Sequence, residues 1–251
     1  MKDLQELSGE DQVKAPPKFV VPIIKLDGEK NGYNIISKDE KEGLGEFVDA
    51  VVLKVRRSIT GFTDEISYYS KEHDNWNEEV SLIERRTTDK GMKKQAVDKG
   101  TYKQLKEKWG KVIRLNMVLY VWLIEKEMIA KIIVSGKGCN NLYDYFGDFD
   151  SNEHIYEYIT KFGSNEEINE RLRKTYYAVN FTKAGKVEDM EFIGEKIREV
   201  AGSLEKIDRF YKEKEKSYDD AELGELPEEK EDSVKETLED DPEIKVEDIP
   251  F

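Results

Sequence analysis

The stretch "KVIRLNMVLYVWLIEKEMIAKIIV", residues 111–134, decides the fold because it holds two apolar runs on either side of a short acidic turn. From 113 to 123 every odd position is aliphatic, whereas the even positions include polar and aromatic residues. Successive side chains of a strand point to opposite faces, so this period of two predicts a strand with one core face. The second run, 128–134, completes a predicted β-hairpin. The aliphatic positions are Ile113, Leu115, Met117, Leu119, Val121 and Leu123.

The even positions of the first run carry a cation and two aromatic rings, at Arg114, Tyr120 and Trp122. Because these residues lie opposite the aliphatic row, we expect them to face away from the core. Another strand is predicted over 46–62, where β-branched residues lead to a turn signal at Gly61.

The remaining segments extend this pattern. They are a hairpin or long excursion over 64–86, a loop in the lysine- and glycine-rich 90s, a short helix or excursion over 100–110, a short helix over 135–149, two strands over 173–194 around a Lys-Ala-Gly-Lys turn, and an amphipathic helix over 195–216. This order favours a mainly β domain with helices over 18–216, built as an OB-fold-like five-stranded barrel with insertions and a C-terminal helix. An open α+β sheet is the alternative.

Charge is distributed unevenly along the 251 residues, whose net charge is −14. Residues 217–251 contain fifteen acids and three lysines, a net of −12, which leaves −2 for residues 1–216. A segment with this charge and no apolar periodicity cannot bury enough surface to fold, so we expect a disordered acidic tail over 217–251. We also expect a flexible segment over 1–17.

The composition excludes several classes of protein. No apolar leader is present, and no apolar run approaches the roughly 18 residues of a membrane span, so we expect a soluble, cytoplasmic protein without membrane contact. Cys139 is the single cysteine, which excludes an internal disulfide, and His73 and His154 add too few ligands for a multi-cysteine zinc site. A Walker-type phosphate loop is also absent. We expect neither a metal nor another cofactor.

The chain ends with "VEDIPF", residues 246–251, which places apolar residues at the end of the acidic tail. Exposed apolar residues add nothing to stability, so burial by another molecule is the natural explanation of this tip. Asp248, Ile249, Pro250 and Phe251 resemble the C-terminal tip of bacterial and phage single-stranded-DNA-binding proteins, which reads Asp-Asp-Ile-Pro-Phe or a near variant. Glu247 stands where that family usually has Asp, and the charge is kept.

This resemblance, which covers only the end of the chain, implies a protein without enzymatic activity. Such a protein binds and protects single-stranded DNA regardless of sequence, and it recruits replication, recombination or repair proteins through its tip. The start of the chain does not match the common bacterial protein, so an atypical, phage-encoded version is favoured.

The body of the chain carries both parts of a site for unpaired DNA. Bases stack on Trp, Tyr or Phe at about 1 to 3 kcal/mol each, while Lys and Arg follow the phosphates. The even face of the hairpin is one predicted platform, and aromatic groups before and after it are two more. The predicted contacts are Lys54, Arg56, Tyr68, Tyr69, Trp76, Arg114, Tyr120, Trp122, Lys174 and Tyr176.

Two other functions remain open. One is an acidic interaction or chaperone-like protein that holds basic partners and does not bind DNA. The other is a nuclease with magnesium-binding carboxylates, although no acid cluster at a consistent spacing supports it. The oligomeric state is also open.

Overall fold

The computed structural model describes residues 19–27, 31–37, 40–63, 66–88, 91–169 and 173–219. Strands dominate these residues, and three α-helices accompany them. The strands are β1 (Ile23–Asp27), β2 (Gly32–Ser37), β3 (Glu40–Gly45), β4 (Val48–Thr63), β5 (Ile66–Tyr69), β6 (Val80–Thr88), β7 (Gly91–Gly100), β8 (Ile113–Leu123), β9 (Met128–Ser135), β10 (Tyr158–Asn169) and β11 (Lys174–Lys186). The helices are α1 (Tyr102–Trp109), α2 (Lys137–Gly147) and α3 (Met190–Asp219), with short 3-10 turns at Gly110–Val112 and Ile155–Glu157.

The strands form one open mixed sheet. Its order is β3-β2-β1-β9-β8-β4-β5-β6-β7, and β10 pairs with both β4 and β11. The pairing of β1 with β9 is parallel, whereas the other paired strands are antiparallel. The architecture is therefore mainly β with helices, as predicted, and it has the open sheet of the alternative prediction.

The long strand β4 lies at the centre of the sheet. Along one edge it pairs with β8 from Ala50 to Gly61. Along the other edge it pairs first with β10 and, near its end, with β5. A register shift between Val52 and Lys54 interrupts the ladder with β8, and such bulges bend and twist a strand. One strand thus joins the two halves of the sheet.

Two apolar cores occupy the same face of β4 and β8. The main core lies between the hairpins β1–β2 and β8–β9, the hairpin β10–β11 and helix α2, and it contains Met117, Leu119 and Phe162. A smaller core lies between α1 and strands β5 to β7, around Leu82 and Leu105. All six aliphatic residues at the odd positions of β8 pack into these cores, which confirms the predicted core face.

The opposite face of β8 is covered by α3, contrary to the expectation that it is open. Ile193, Val200 and Leu204 of the helix pack against Val118 and Tyr120, both fully or nearly fully buried. Alternation along β8 therefore separates two buried faces. Strand periodicity shows that two faces differ, but it does not show whether a later segment covers the second one.

One buried side chain links strand β2 to strand β10, which are not paired with each other. The hydroxyl of Tyr33 on β2 donates to the carbonyl oxygen of Gly163 on β10 at 2.5 Å, and burial raises the pKa of Tyr33. Ser164 contacts Asn31 beside it. Within the described part of the chain, no backbone ladder joins β2 or β3 to β10 or β11, so the sheet remains open.

Several strands were not predicted from the sequence, and the reason is the same for each. The 90s form strand β7 rather than a loop, because pairing with β6 satisfies their backbone groups despite their polar side chains. The segment predicted as two strands over 173–194 holds the single strand β11, whose partner β10 was not predicted. Strands β1 to β3 were not predicted either. Long-range pairing decides these segments, and local sequence does not contain it.

None of the helices in the described ranges is long and apolar enough to cross a membrane. Helix α3 continues to Asp219, so the first three residues of the predicted disordered tail over 217–251 are helical. The N-terminal segment 1–17 and residues 220–251, which include the tip residues Asp248, Ile249, Pro250 and Phe251, lie outside the described residues.

Candidate nucleic-acid interface

Three aromatic rings and an arginine meet at the boundary between the two cores, and we call this group the aromatic cluster: Arg57, Trp76, Tyr102 and Tyr143. The ring of Trp76 lies 6.3 Å from Tyr143, nearly parallel at 24°, and 6.2 Å from Tyr102. The guanidinium carbon of Arg57 lies 4.9 Å from the centroid of Trp76. These rings and this cation are the groups that stack on bases and pair with phosphates.

Four different elements place these side chains together. Arg57 lies on β4, and Trp76 lies in the loop 70–79 between β5 and β6. Tyr102 is the first residue of α1, which begins at a capping box. Tyr143 lies on α2, and a Cβ at Gly138 of this helix would come within 2.8 Å of Val134, so the glycine lets α2 approach the sheet closely.

The loop 70–79 is fixed to β4 by backbone and side-chain hydrogen bonds. His73 and Arg57 exchange two backbone bonds of 2.8 and 2.9 Å. The backbone N–H of Ser70 donates to the Ile59 carbonyl oxygen, and the Ser70 hydroxyl oxygen accepts from the Ile59 backbone N–H, both at 2.9 Å. The carbonyl oxygen of Asp74 accepts from the Arg57 side chain. Trp76 is therefore presented by an ordered segment.

His73 is fully buried within this loop. Burial lowers the pKa of its imidazole and the positive charges of Arg56 and Arg57 act in the same direction, whereas a hydrogen bond to the Lys71 carbonyl and the charge of Glu78 oppose the shift. The neutral imidazole is the form that this site favours.

The aromatic cluster remains accessible at its edge. Trp76 and Tyr143 are each 40% exposed, although both rings have aromatic neighbours. Burial raises the pKa of the Tyr143 hydroxyl, and the charge and hydrogen bond of Arg57 oppose that shift. Arg57 therefore contacts both exposed rings. Exposed aromatic surface and a cation therefore lie at one place.

A strongly basic part of the chain adjoins this cluster. Residues 85–114, which we call the basic module, contain eleven Lys and Arg and three Asp and Glu, a net of +8. The module comprises the end of β6, strand β7, helix α1 and the start of β8. The polar surface of α1 presents Lys103 and Lys108, and Tyr102 joins the module to the aromatic cluster.

Like charges lie directly opposite one another in the β6–β7 ladder. Arg85 pairs with Lys94, and Arg86 pairs with Lys93. Such cross-strand pairs are unfavourable in an isolated hairpin. Glu84 compensates in part through a 3.0 Å ion pair with Arg86.

The predicted contact residues fall into separate places. Trp76 lies in the aromatic cluster, and Arg114, half-buried, ends the basic module. Burial lowers the pKa of Arg114 and raises that of the Cys139 thiol, and the nearby Arg114 charge opposes the shift of the thiol. Tyr68 is buried in the smaller core, 5.0 Å from Trp109, and Tyr69 is half-buried beside it on β5.

The predicted platform on β8 lies beneath α3. The indole of Trp122 packs edge-on against Phe192 at 5.0 Å, and Lys196 lies over it. Tyr120 is 4% exposed, and its hydroxyl donates to Glu72 at 2.6 Å. Burial, together with the charge of that carboxylate, raises the pKa of Tyr120. A base reaches these rings only if α3 moves away.

The two cations expected beside that platform are ion-paired. Lys54 lies 3.2 Å from Asp74, and the buried Arg56 contacts Asp74 and Asp208. Lys174 and Tyr176 lie on β11, in a hairpin remote in sequence from the basic module. The predicted residues therefore do not form one site. Arg114 belongs to the basic module, and Tyr68 packs on Trp109 of the same module. Lys54 and Arg56 pair with Asp74 of the loop that carries Trp76.

Sequence reasoning missed Arg57, Tyr102 and Tyr143. Strand alternation assigns Arg57 to the core side of β4, and the two tyrosines lie on short helices whose docking the sequence does not show. The net charge of +8 over residues 85–114, inside a body whose net charge is near zero, was a signal for the module that contains Tyr102. It does not identify Arg57 or Tyr143.

Among the described residues, no group of three or more His, Cys, Asp and Glu side chains forms a metal site. No family model, curated protein or solved structure matches the chain.

Proposed function

We propose that this protein binds single-stranded DNA without sequence preference and acts as a binding protein rather than as an enzyme. The observation that carries the proposal is the aromatic cluster, two of whose rings are 40% exposed, beside a module with a net charge of +8. Sequence-tolerant binding requires these two parts, because every base has a stacking face and every nucleotide has a phosphate.

In this mechanism, one or two bases leave the strand's own stack and lie against Trp76 and Tyr143. Arg57 adds a cation at the edge of the stack, and its 4.9 Å approach to the indole holds both groups in one orientation. The phosphates on either side run along α1 and the β6–β7 hairpin. Ordered aromatic groups lower the entropy lost on binding, because they are already in place.

The proposed scaffold is a variant of the OB-fold. In support, strands β1, β2, β8, β9, β4 and β10 all contribute side chains to the main core, and a hydrogen bond joins Tyr33 of β2 to Gly163 of β10. In this account β5 to β7 and α1 are an insertion that carries the phosphate-binding charge. The OB-fold commonly binds oligonucleotides on its strand face and loops.

The acidic tail supplies the second part of the proposed function. Its tip, Asp248 to Phe251, resembles the partner-docking tip of single-stranded-DNA-binding proteins, so we propose that it recruits proteins of replication, recombination or repair. Apolar anchors provide most of the energy of such contacts, while charged neighbours provide orientation.

The test is binding of a fluorescent oligo(dT) to the full-length protein and to Trp76→Ala. We expect the variant to bind about tenfold more weakly, within the 1 to 3 kcal/mol range of one stacked base. Phe47→Ala is the matched control, because Phe47 is also an exposed aromatic with a cation beside it, Lys161 at 5.3 Å, but lies outside the basic module. Equal affinities of wild type and Trp76→Ala would contradict the proposed site. Absence of binding by all three proteins would favour the acidic interaction protein.

A further inference from the structure

Arg56 connects three parts of the molecule from a buried position, with 3% of its side chain exposed. It lies on β4, next in sequence to Arg57 of the aromatic cluster. Its Nη2 donates to both carboxylate oxygens of Asp208 on α3, each at 3.0 Å. The same nitrogen donates to the carbonyl oxygen of Glu72 at 2.7 Å, which lies in the loop 70–79.

The loop is attached to Arg56 by a second ion pair. Asp74 Oδ1 lies 3.3 Å from Arg56 Nε, while Asp74 Oδ2 lies 3.2 Å from Lys54 Nζ. The Asp74 carbonyl accepts from Arg57, whose guanidinium contacts the indole of Trp76. A continuous path of hydrogen bonds and ion pairs therefore runs from the C-terminal helix to the stacking ring.

Asp208 has a defined part in this path. A buried guanidinium needs compensation of its charge, and Arg56 has two carboxylate partners, Asp208 and Asp74. If Asp208 loses its charge, Asp74 is the remaining carboxylate, so Arg56 is drawn toward the loop. Glu72 and Asp74 then shift, and Trp76 follows because only Asn75 separates it from Asp74.

We propose that Asp208 is a positioning residue for the stacking cluster, acting on Trp76 through Arg56 and the loop 70–79. The inference rests on the proposed function for its effect on DNA binding, but the change in the position of Trp76 is independent of DNA. It couples helix α3, which leads into the acidic tail, to the site for bases. Occupation of the tail by a partner protein then has a route to the DNA site.

A single-tryptophan protein tests the positioning. The chain has three tryptophans, so Trp109→Phe with Trp122→Phe leaves Trp76 as the only indole. In this background, we expect Asp208→Asn to shift the Trp76 emission and change its quenching by acrylamide. Glu205→Gln is the matched control, since Glu205 lies on the same helix in an exposed ion pair with Arg209. Asp208→Glu keeps the charge and should restore the emission toward that of the parent.

A double-mutant cycle in the otherwise wild-type protein tests the effect on DNA. We expect Asp208→Asn to weaken oligo(dT) binding about threefold to tenfold, a size typical of coupled neighbours. In Trp76→Ala, the same substitution should have no further effect. The proposal is overturned if Trp76 emission and quenching are unchanged by Asp208→Asn, or if affinity falls equally in both backgrounds. Should no variant bind DNA, the proposed function fails, and the fluorescence result alone still decides the positioning.

Discussion

Arg57 and Trp76 meet across the boundary between strand β4 and the loop 70–79, with the guanidinium carbon 4.9 Å from the indole centroid. The same arginine exchanges two backbone bonds with His73 and donates to the carbonyl of Asp74. One residue therefore fixes the loop and supplies the cation beside the ring. This relationship makes Trp76, rather than Trp122 on the covered face, the expected stacking residue.

Trp76→Ala should mainly weaken DNA binding, whereas Trp122→Ala should mainly destabilise the fold. Trp122→Ala removes an indole held between Phe192 and Lys196, so we expect the free energy of unfolding to fall by about 2 to 3 kcal/mol, somewhat less than for a fully buried Trp. The folded variant should bind oligo(dT) as the wild type does. Trp76→Ala should lose affinity, with a smaller loss of stability because the ring is 40% exposed. Urea unfolding and anisotropy titrations on both variants measure this, and an affinity loss in Trp122→Ala alone would place the site under α3.

The sequence predicted those strands and helices whose apolar periodicity is visible within the segment itself. Period-two alternation and β-branched residues identified β4, β8 and β9, and apolar periodicity identified α2 and α3, while α1 was one of two alternatives for its segment. Strand β7 was missed because its side chains are polar, and pairing with β6 decides its structure. The covered face of β8 was misread because its cover, α3, lies about seventy residues later in the chain.

The kinds of side chain in the candidate site could be predicted from the sequence, but most of the individual residues could not. Stacking aromatics and cations were expected, and Trp76 was among them. The other members come from β4, α1 and α2, and only tertiary packing brings Arg57, Tyr102 and Tyr143 to the same place. The sequence distances between these residues leave no local signature.

Lys103→Gln should reduce the salt dependence of binding. Lys103 lies exposed on α1, one residue from Tyr102, where phosphates are expected. Loss of one phosphate contact lowers the slope of log affinity against log salt by roughly 0.7 for single strands. Titrations at four salt concentrations measure the slope. Lys41→Gln is the control, because Lys41 is an exposed lysine on β3 and lies far from the module in sequence. Equal salt slopes in the two variants would show that α1 does not contact the phosphates.

The buried His73 should cause the free energy of unfolding to fall as the pH is lowered into mild acid. Burial lowers the pKa of His73 in the folded protein, so the unfolded chain binds the proton more readily. The contribution of His73 is complete above its unfolded pKa of about 6.5 and is lost as pH falls through its lower folded pKa. Urea unfolding between pH 8 and pH 5 should therefore show falling stability. His73→Gln should remove this part of the pH dependence, and His154→Gln should retain it; identical profiles for the wild type and His73→Gln would contradict the assignment.

Deletion of residues 220–251 should raise the affinity for single strands at low salt. The deletion removes fourteen acids and three lysines, a net of −11, and it keeps α3 to Asp219. Acidic side chains attracted to the basic module compete with phosphate, and salt screens this competition beyond roughly 10 Å at 0.1 M. Affinity curves of the full-length and shortened proteins should converge as salt rises. Equal affinities at low salt would show that the tail does not reach the module.

Deletion of Phe251 alone should separate the two activities. The apolar tip is the proposed anchor for a partner protein, whereas the aromatic cluster is the proposed DNA site, so we expect loss of partner capture with unchanged oligo(dT) affinity. Pull-down of bacterial replication and repair proteins with the full-length and the shortened protein measures capture. Retention of the same partners without Phe251 would exclude the tip as their anchor.

The most direct test of the central claim is the fluorescence of Trp76 during a titration with oligo(dT). In the protein with Trp109→Phe and Trp122→Phe, Trp76 is the only indole, and a base stacked on it quenches its emission. We predict saturable quenching that follows the same binding curve as the anisotropy of the labelled oligonucleotide and is reversed by high salt. Binding detected by anisotropy with no change in Trp76 emission would contradict the claim that this ring stacks on DNA.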